Sequence, residues 1–182
     1  MTPTCTCAIC TQPTPEPMRS GGLDICFKCM NGGAAQAVQD RGWQLSYSES
    51  KHSTNGDSHY RVKAEGKLDT EIPFEVAVRP KTGILKVLGL FWGIKMPDPL
   101  FNQMVYATSS SGAAGANFLG DDGVQSAVMD LLGEQIDITI QSDGIHVHGQ
   151  RKHDPFDQSR IELEMAVLLA HTRRYLDGED SL

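Results

Sequence analysis

Hydrophobic and polar residues alternate in several runs of the chain, and this period of two predicts strands with one buried face. The first run covers residues 43–48, and later runs cover 60–65 and 72–79. The polar residues 49–58, which include an Asn-Gly pair, predict a loop with a turn between the first two strands. Proline has no N–H to donate, so the third strand either starts at Pro73 or lies at an edge of the sheet. We expect these three strands to form an antiparallel meander.

The most apolar stretch of the chain is residues 84–94. Its length and composition predict a central strand buried on both faces. The alternative interpretation is that Leu88–Ile94 forms a glycine-flexed apolar surface for a partner. Alternate apolar positions favour a strand over 101–108, although a helix also fits, and the small residues of 109–115 predict a flexible linker.

Helical spacing and capping residues predict three helices. A short helix covers 34–41. A longer one starts after the aspartate pair at 121–122 and ends at Gly133, and the last one covers 157–176. Between the two long helices, isoleucine and valine alternate with polar residues over 136–147. The Asp143-Gly144 pair in that segment predicts a tight β-hairpin turn.

These elements together predict an α+β fold built on a mostly antiparallel sheet with two main helices. The predicted division is a small metal-binding module at 1–33, a connecting helix at 34–42, the α+β domain at 43–176 and a frayed tail at 177–182. The length of 182 residues suits one domain of about 150 residues and a small module.

The net charge of −7 argues against generic nucleic-acid binding. Residues 1–33 are neutral, and the remaining residues carry 14 basic and 21 acidic side chains. Affinity for phosphates depends largely on Lys and Arg, so this composition argues against a nucleic-acid partner. The chain has no apolar run of about 20 residues, so no membrane span is expected. The first residues lack the pattern of a secretory signal, and we expect a cytoplasmic, reducing location.

The strongest chemical signal is two Cys-x-x-Cys pairs with the spacing C-x2-C-x15-C-x2-C, formed by Cys7, Cys10, Cys26 and Cys29. Two such pairs can fill all four positions of a tetrahedral zinc site, which would then be structural. A metal of this kind contributes on the order of 10 kcal/mol to the folding of a segment with little core. Without metal, we expect residues 1–33 to be disordered. Iron remains open as the ion, and disulfides or a redox pair are less favoured because no export signal or thioredoxin-like pattern is present.

This arrangement resembles the C4 zinc ribbon family over residues 1–33. The resemblance implies that Cys7, Cys10, Cys26 and Cys29 are the ligands. Ribbons often carry a glycine after the second cysteine of each pair, and Thr11 and Met30 stand at those places here. The family serves in several kinds of machinery, so the resemblance implies a fold and no particular role.

Cys5 is a fifth cysteine beside the motif. It could replace Cys7 as a ligand, be a free thiol or pair with another chain; we favour the free thiol.

His146 and His148 flank one residue of a predicted strand, so both side chains leave the same face. With His153 or Asp154 they could hold a catalytic metal, which defines the main enzymatic alternative. The Asp143-Gly144 turn predicts that Gln141 faces His146, and that Thr139 faces His148, so the neighbours add no ligands. A catalytic zinc needs three good protein ligands, and the sequence places only two.

We therefore expect a zinc-binding adaptor protein for protein binding, without an evident catalytic site. The partner surface would be the apolar stretch 88–94 or the strand beside Pro73. The alternatives are a metal-dependent enzyme and an immunity-type protein whose acidic body neutralises a basic partner.

Overall fold

The computed structural model of the chain describes residues 5–54, 56–82 and 93–178. The fold is α+β, as the sequence predicts. Its main sheet has six strands within the described residues, and every pair of neighbouring strands is antiparallel. In spatial order these are β5 (Gln44–Thr54), β6 (Asp57–Lys67), β10 (Gly144–Lys152), β9 (Ile136–Gln141), β7 (Val76–Pro80) and β8 (Val105–Ser109).

One face of this sheet is apolar and buried, and the other is polar and open. Val147 pairs with Ala64 on one side and with Ile138 on the other, and all three side chains are buried. The residues one position along the strand, such as Lys63 and His148, leave the opposite face and are exposed. This follows from the period of two along a strand.

Helices cover the apolar face. Their bounds are α1 (Ala34–Asp40), α2 (Pro99–Met104), α3 (Ala113–Leu119), α4 (Asp122–Gly133) and α5 (Gln158–Asp177). The predicted caps are confirmed, since Asp121 accepts a hydrogen bond from Val124 N–H and Asp157 accepts one from Arg160 N–H. Helix α5 packs against α1, α4, β5 and β6, and α4 packs against β7 and β9. The two longest helices are therefore those that the sequence predicts as the main ones.

The N-terminal segment consists of two small hairpins and a wide helical turn. These are β1 (Cys5–Thr6) with β2 (Pro13–Thr14), β3 (Met18–Ser20) with β4 (Leu23–Ile25), and the turn Cys29–Gly33. Ile9, Leu23 and Ile25 are almost fully buried and belong to the same core cluster as the helices and sheet. The boundary between residues 33 and 34 stays a prediction.

The first hairpin of the sheet is longer than predicted, and the meander is wrong. Residues 49–58 are mostly strand, because β5 and β6 pair from Gln44↔Lys67 to Thr54↔Asp57. The next neighbour of β6 is β10, so the third predicted strand does not follow it in the sheet. That strand, β7, starts at Val76 and pairs with both β8 and β9, so the prediction of an exposed edge beside Pro73 is also wrong.

Two central predictions need correction. Residues 101–108 divide between α2 and β8, with the boundary between Met104 and Val105. The expected linker 109–115 contains the start of α3, where Gly115 packs so tightly against Ser109 and Val76 that a Cβ there would overlap both. Residues 83–92, where a buried central strand or partner surface was predicted, lie outside the described residues.

The hairpin of β9 and β10 has a different register from the predicted one. Gln141 pairs with Gly144, so Ser142 and Asp143 form the two-residue turn. As a result His146 lies opposite Thr139, and His148 lies opposite Asp137.

None of the helices in the described part of the chain combines the length and the apolar character needed to cross a bilayer.

Candidate metal centre

The first cysteine pair lies in a tight turn between β1 and β2. Thr11 N–H donates to the Cys7 carbonyl over 2.9 Å, and Cys7 N–H donates to the Gln12 carbonyl over 2.9 Å. Thr11 has a φ of 59°, in the left-handed region that β-branched residues rarely enter. This is the place where the resemblance leads one to expect glycine, so the backbone takes the glycine-like shape although the residue is threonine.

The second cysteine pair lies where β4 passes into a helical segment. Met30 N–H donates to the Cys26 carbonyl over 3.1 Å, and Cys29 opens the wide turn that leads into α1. The left-handed residue after this pair is Gly32, with a φ of 94°. The second pair therefore presents its sulfurs from the start of a helical segment, and α1 continues directly from it.

All four predicted sulfurs converge. The Sγ atoms of Cys7, Cys10, Cys26 and Cys29 lie within 4.8 Å of one another, and no other group of three or more candidate ligands is found among the described residues. The Sγ atoms of Cys10 and Cys26 are 3.6 Å apart. Tetrahedral zinc with bonds of 2.3 Å places its sulfurs about 3.8 Å apart, whereas a disulfide needs about 2.05 Å. All four cysteines are free thiols, so the donor set fits a metal ion such as zinc.

The electrostatics of the cluster also favour a cation. Burial raises the pKa of Cys7, but the N–H groups of Cys10, Cys26 and Ile9 together outweigh it and lower this pKa to about 7. Burial raises the pKa of Cys29 and of Cys10, and neighbouring cysteines add to the increase at Cys29. One sulfur is thus prepared as a thiolate, while further thiolates repel each other unless a cation lies between them.

Backbone donors and burial hold the sulfurs in place. Cys26 N–H donates to the Sγ atom of Cys7 over 3.3 Å, which ties the second pair to the first. Cys7 and Cys29 are fully buried, whereas Cys10 and Cys26 are partly exposed. An ion could therefore enter from the side of Cys10 and Cys26.

Cys5 does not belong to the four-sulfur group. It lies in β1, where an interaction with the Asp24 carboxylate raises the pKa of its thiol. The structure places Cys7, not Cys5, among the converging sulfurs.

The three histidines of the enzymatic alternative do not form a ligand group. His146 Nε2 is 2.9 Å from Asp143 Oδ1, and its Nδ1 is 3.8 Å from Glu65 Oε1. His148 is exposed, and His153 lies beyond β10 with its N–H bonded to the Ser58 carbonyl. Among the described residues, no third ligand atom joins this pair at metal-binding distance.

Two features of the module were missed by sequence reasoning. Phe27 is 72% exposed on the surface of the module, between the ligands Cys26 and Cys29. Arg41 lies after α1 in the sequence, but its guanidinium reaches back to the first cysteine turn. The position between paired ligands gives no signal for this exposure, because Ile9 occupies such a position in the first pair and is fully buried.

Comparison with protein-family models, curated proteins and solved structures finds no match to this chain. Function must therefore be argued from the site itself.

Proposed function

We propose that the chain is a zinc-binding adaptor protein in which the ion is structural and the module built around it contacts a partner protein. The observation that supports a structural zinc is the convergence of four cysteine sulfurs within 4.8 Å. Four protein ligands fill a tetrahedral zinc ion, which leaves no position for substrate water. The C4 zinc ribbon remains the family that the spacing resembles, and reduced thiols fit a reducing compartment such as the cytoplasm.

The exposed ring of Phe27 supports the proposed contact between the module and a partner protein. Large aromatic side chains are enriched at the centres of protein interfaces, where their burial supplies much of the binding energy. Phe27 is 72% exposed although Cys26 and Cys29, one residue before it and two residues after it, are held in the cluster. An aromatic side chain has only two side-chain torsions, so it loses little conformational freedom on binding.

Metal content tests the proposed structural zinc. We expect one zinc per chain in protein purified under reducing conditions, measured by elemental analysis. Cys26→Ser should lose that equivalent, and His148→Ala, which changes an exposed residue of the sheet, should retain it. A metal-free wild type that keeps its fold would refute the structural zinc.

Partner capture with a matched pair of variants tests whether Phe27 anchors a partner protein. Wild-type bait should recover one stoichiometric protein, Phe27→Ala should lose it, and both baits should carry one zinc. Leu100→Ala is the control, because Leu100 is 58% exposed but lies on α2, outside the module. Equal recovery by Phe27→Ala and wild type would exclude Phe27 as the anchor.

A further inference from the structure

Arg41 connects the end of α1 to the first cysteine turn. Its Nη1 donates to the Ala8 carbonyl over 2.7 Å and approaches the Ile9 carbonyl at 3.4 Å. Ala8 and Ile9 are the two residues between the first pair of cysteines. The guanidinium therefore contacts both central peptides of the turn.

Those two peptides also reach the Cys7 sulfur. The Ala8 carbonyl shares its peptide with Ile9 N–H, and the Ile9 carbonyl shares its peptide with Cys10 N–H. Both N–H groups interact with the sulfur of Cys7. A cation on the carbonyl side polarises each peptide, which strengthens the N–H on the other side as a donor to a thiolate.

A contact with Trp43 fixes the position of the Arg41 guanidinium. It stacks on the ring of Trp43, with Cζ 3.8 Å from the ring centroid, and Trp43 is only 4% exposed. Arginine suits such a place because its planar group can stack and donate at the same time. The body of the protein thus supplies both the cation and the surface that orients it.

Arg41 lacks a carboxylate partner in the described part of the chain. No Asp or Glu oxygen there lies within 4.0 Å of its nitrogens, whereas Arg19, Arg151, Arg160 and Arg173 each have an ion pair. Arg41 is also partly buried, and burying a cation is costly unless a negative charge lies nearby.

We propose that Arg41 is the positioning residue and the counter-cation of the four-cysteine metal centre. This inference rests on the proposed structural zinc. Four thiolates around one divalent ion carry a formal charge of about −2, which would add a close negative charge to the longer-range attraction that Arg41 has from Asp69 and Asp177. Metal occupancy then acts on α1 and Trp43 through Arg41, which adds an electrostatic link to the packing contacts between the module and the body.

The test is the zinc dissociation constant of the full chain, measured by competition with a chromophoric chelator. Arg41→Gln keeps donors for the carbonyls but removes the charge, and we expect at least tenfold weaker zinc binding, the usual range for residues that support metal ligands. Arg19→Gln is the control: it removes one positive charge from the module, but Arg19 is largely exposed and pairs with Asp24. Its zinc affinity should match that of the wild type.

A purely structural Arg41 would give a different result. Arg41→Gln would then lower the melting temperature of the zinc-loaded and zinc-free protein equally, with no change in zinc affinity, and this result would overturn the proposal. If Arg41→Gln does not fold, Arg41→Lys replaces it, because lysine keeps the charge and loses the fork and the stacking. We expect weaker zinc binding for that variant, because lysine loses the fork and the stacking on Trp43, and wild-type affinity would overturn the role of Arg41 as the positioning residue. A wild type without zinc would instead refute the proposed function.

Discussion

His171 on α5 donates its Nε2–H to the carbonyl oxygen of Gly21 over 2.7 Å. A carbonyl can only accept, so Nε2 carries the proton. His171 is 3% exposed, and its Nδ1 lies 3.3 Å from Asp121 Oδ1 at the start of α4. The turn between β3 and β4 is therefore bonded to α5 through Gly21, and it also packs against Gly123 at the start of α4. Together with Arg41, this contact fixes the metal-binding module to the body.

Gly123→Ala should destabilise the protein by about 2 kcal/mol or more, as overpacking does at tight contacts. A Cβ at Gly123 would overlap the Gly21 carbonyl oxygen and the His171 ring, so the β3–β4 turn would have to move. The free energy of unfolding, measured with urea on the zinc-loaded protein, gives the size of the effect.

Gly133→Ala is the control in the same helix. A Cβ at Gly133 would meet no atom within 4 Å, and its φ is not positive. Alanine favours helix over glycine by up to about 1 kcal/mol, so this variant should be equal to or more stable than the wild type. Similar losses in both variants would contradict close packing at Gly123.

Glu164→Gln should stabilise the protein at pH 8 and do so much less at pH 5. Burial, with a contribution from Asp130, raises the pKa of Glu164 to about 7, while Ser20 and Arg160 oppose the increase. The folded state then binds a proton more tightly than the unfolded state, so ionisation above pH 7 destabilises the fold. This penalty disappears as the pH falls from about 7 towards the ordinary glutamate value of about 4.3. The slope is at most about 1.4 kcal/mol per pH unit.

Melting temperatures of wild type and Glu164→Gln at pH 5, 6, 7 and 8 measure this difference. Effects of pH on the metal centre are common to both proteins and cancel. Glutamine can still accept the hydrogen bond that Ser20 Oγ donates to Glu164. Glu162→Gln is the control, since Glu162 is less buried than Glu164 and accepts a hydrogen bond from the exposed Gln158 in the same helix. A constant difference between Glu164→Gln and wild type at every pH would contradict a neutral Glu164 at low pH.

The four sulfur positions and the fold class could be predicted because local patterns determine them. Cys-x-x-Cys spacing brings two sulfurs together within one turn, and burial alternates along β9 as its sequence does. The bounds of α4 follow from Asp121 and Gly133 for the same reason. None of these inferences needs knowledge of distant contacts.

The errors arose where the deciding contact is distant or where a signal was read too weakly. The polar tip of the β5–β6 hairpin has few apolar positions, so no alternation of burial marks it as strand. The pairing of β6 with β10 joins residues that are 79 positions apart at Gly66↔Ile145 and 93 apart at His59↔Lys152. Helix α2 did have a local signal, because Asp98 accepts from Leu100 N–H as N-cap and Pro99 occupies the first position. The burial of Glu164 and His171 could not be read from α5 alone, since the N-terminal hairpin covers them.

Cys5→Ser should keep one zinc per chain, whereas Cys7→Ser should lose it. Only the Cys7 sulfur lies in the four-sulfur group, and Cys5 contacts Asp24 instead. Elemental analysis after chelator treatment measures the bound zinc, and urea unfolding shows whether the fold follows. Loss of zinc in Cys5→Ser with retention in Cys7→Ser would mean that the first strand shifts by two residues to exchange the ligand.

Thr11→Gly should stabilise the zinc-loaded protein by about 0.5–1 kcal/mol. A left-handed backbone costs a non-glycine residue about 1–2 kcal/mol, and the φ of Thr11 is 59°. Part of this gain is lost, because glycine gives the unfolded chain more conformational freedom. The hydrogen bond that Thr11 Oγ1 donates to the Cys10 carbonyl is exposed, so its loss costs little.

Thr6→Gly is the matched control, because Thr6 is an exposed residue of β1 with ordinary strand geometry. There the same substitution should destabilise by about 0.5–1 kcal/mol, since glycine weakens strands. Urea unfolding of the three zinc-loaded proteins gives both signs in one experiment. If Thr11→Gly loses as much stability as Thr6→Gly, the left-handed turn after Cys10 is wrong. The turn would then have to present Cys7 and Cys10 through a different backbone shape.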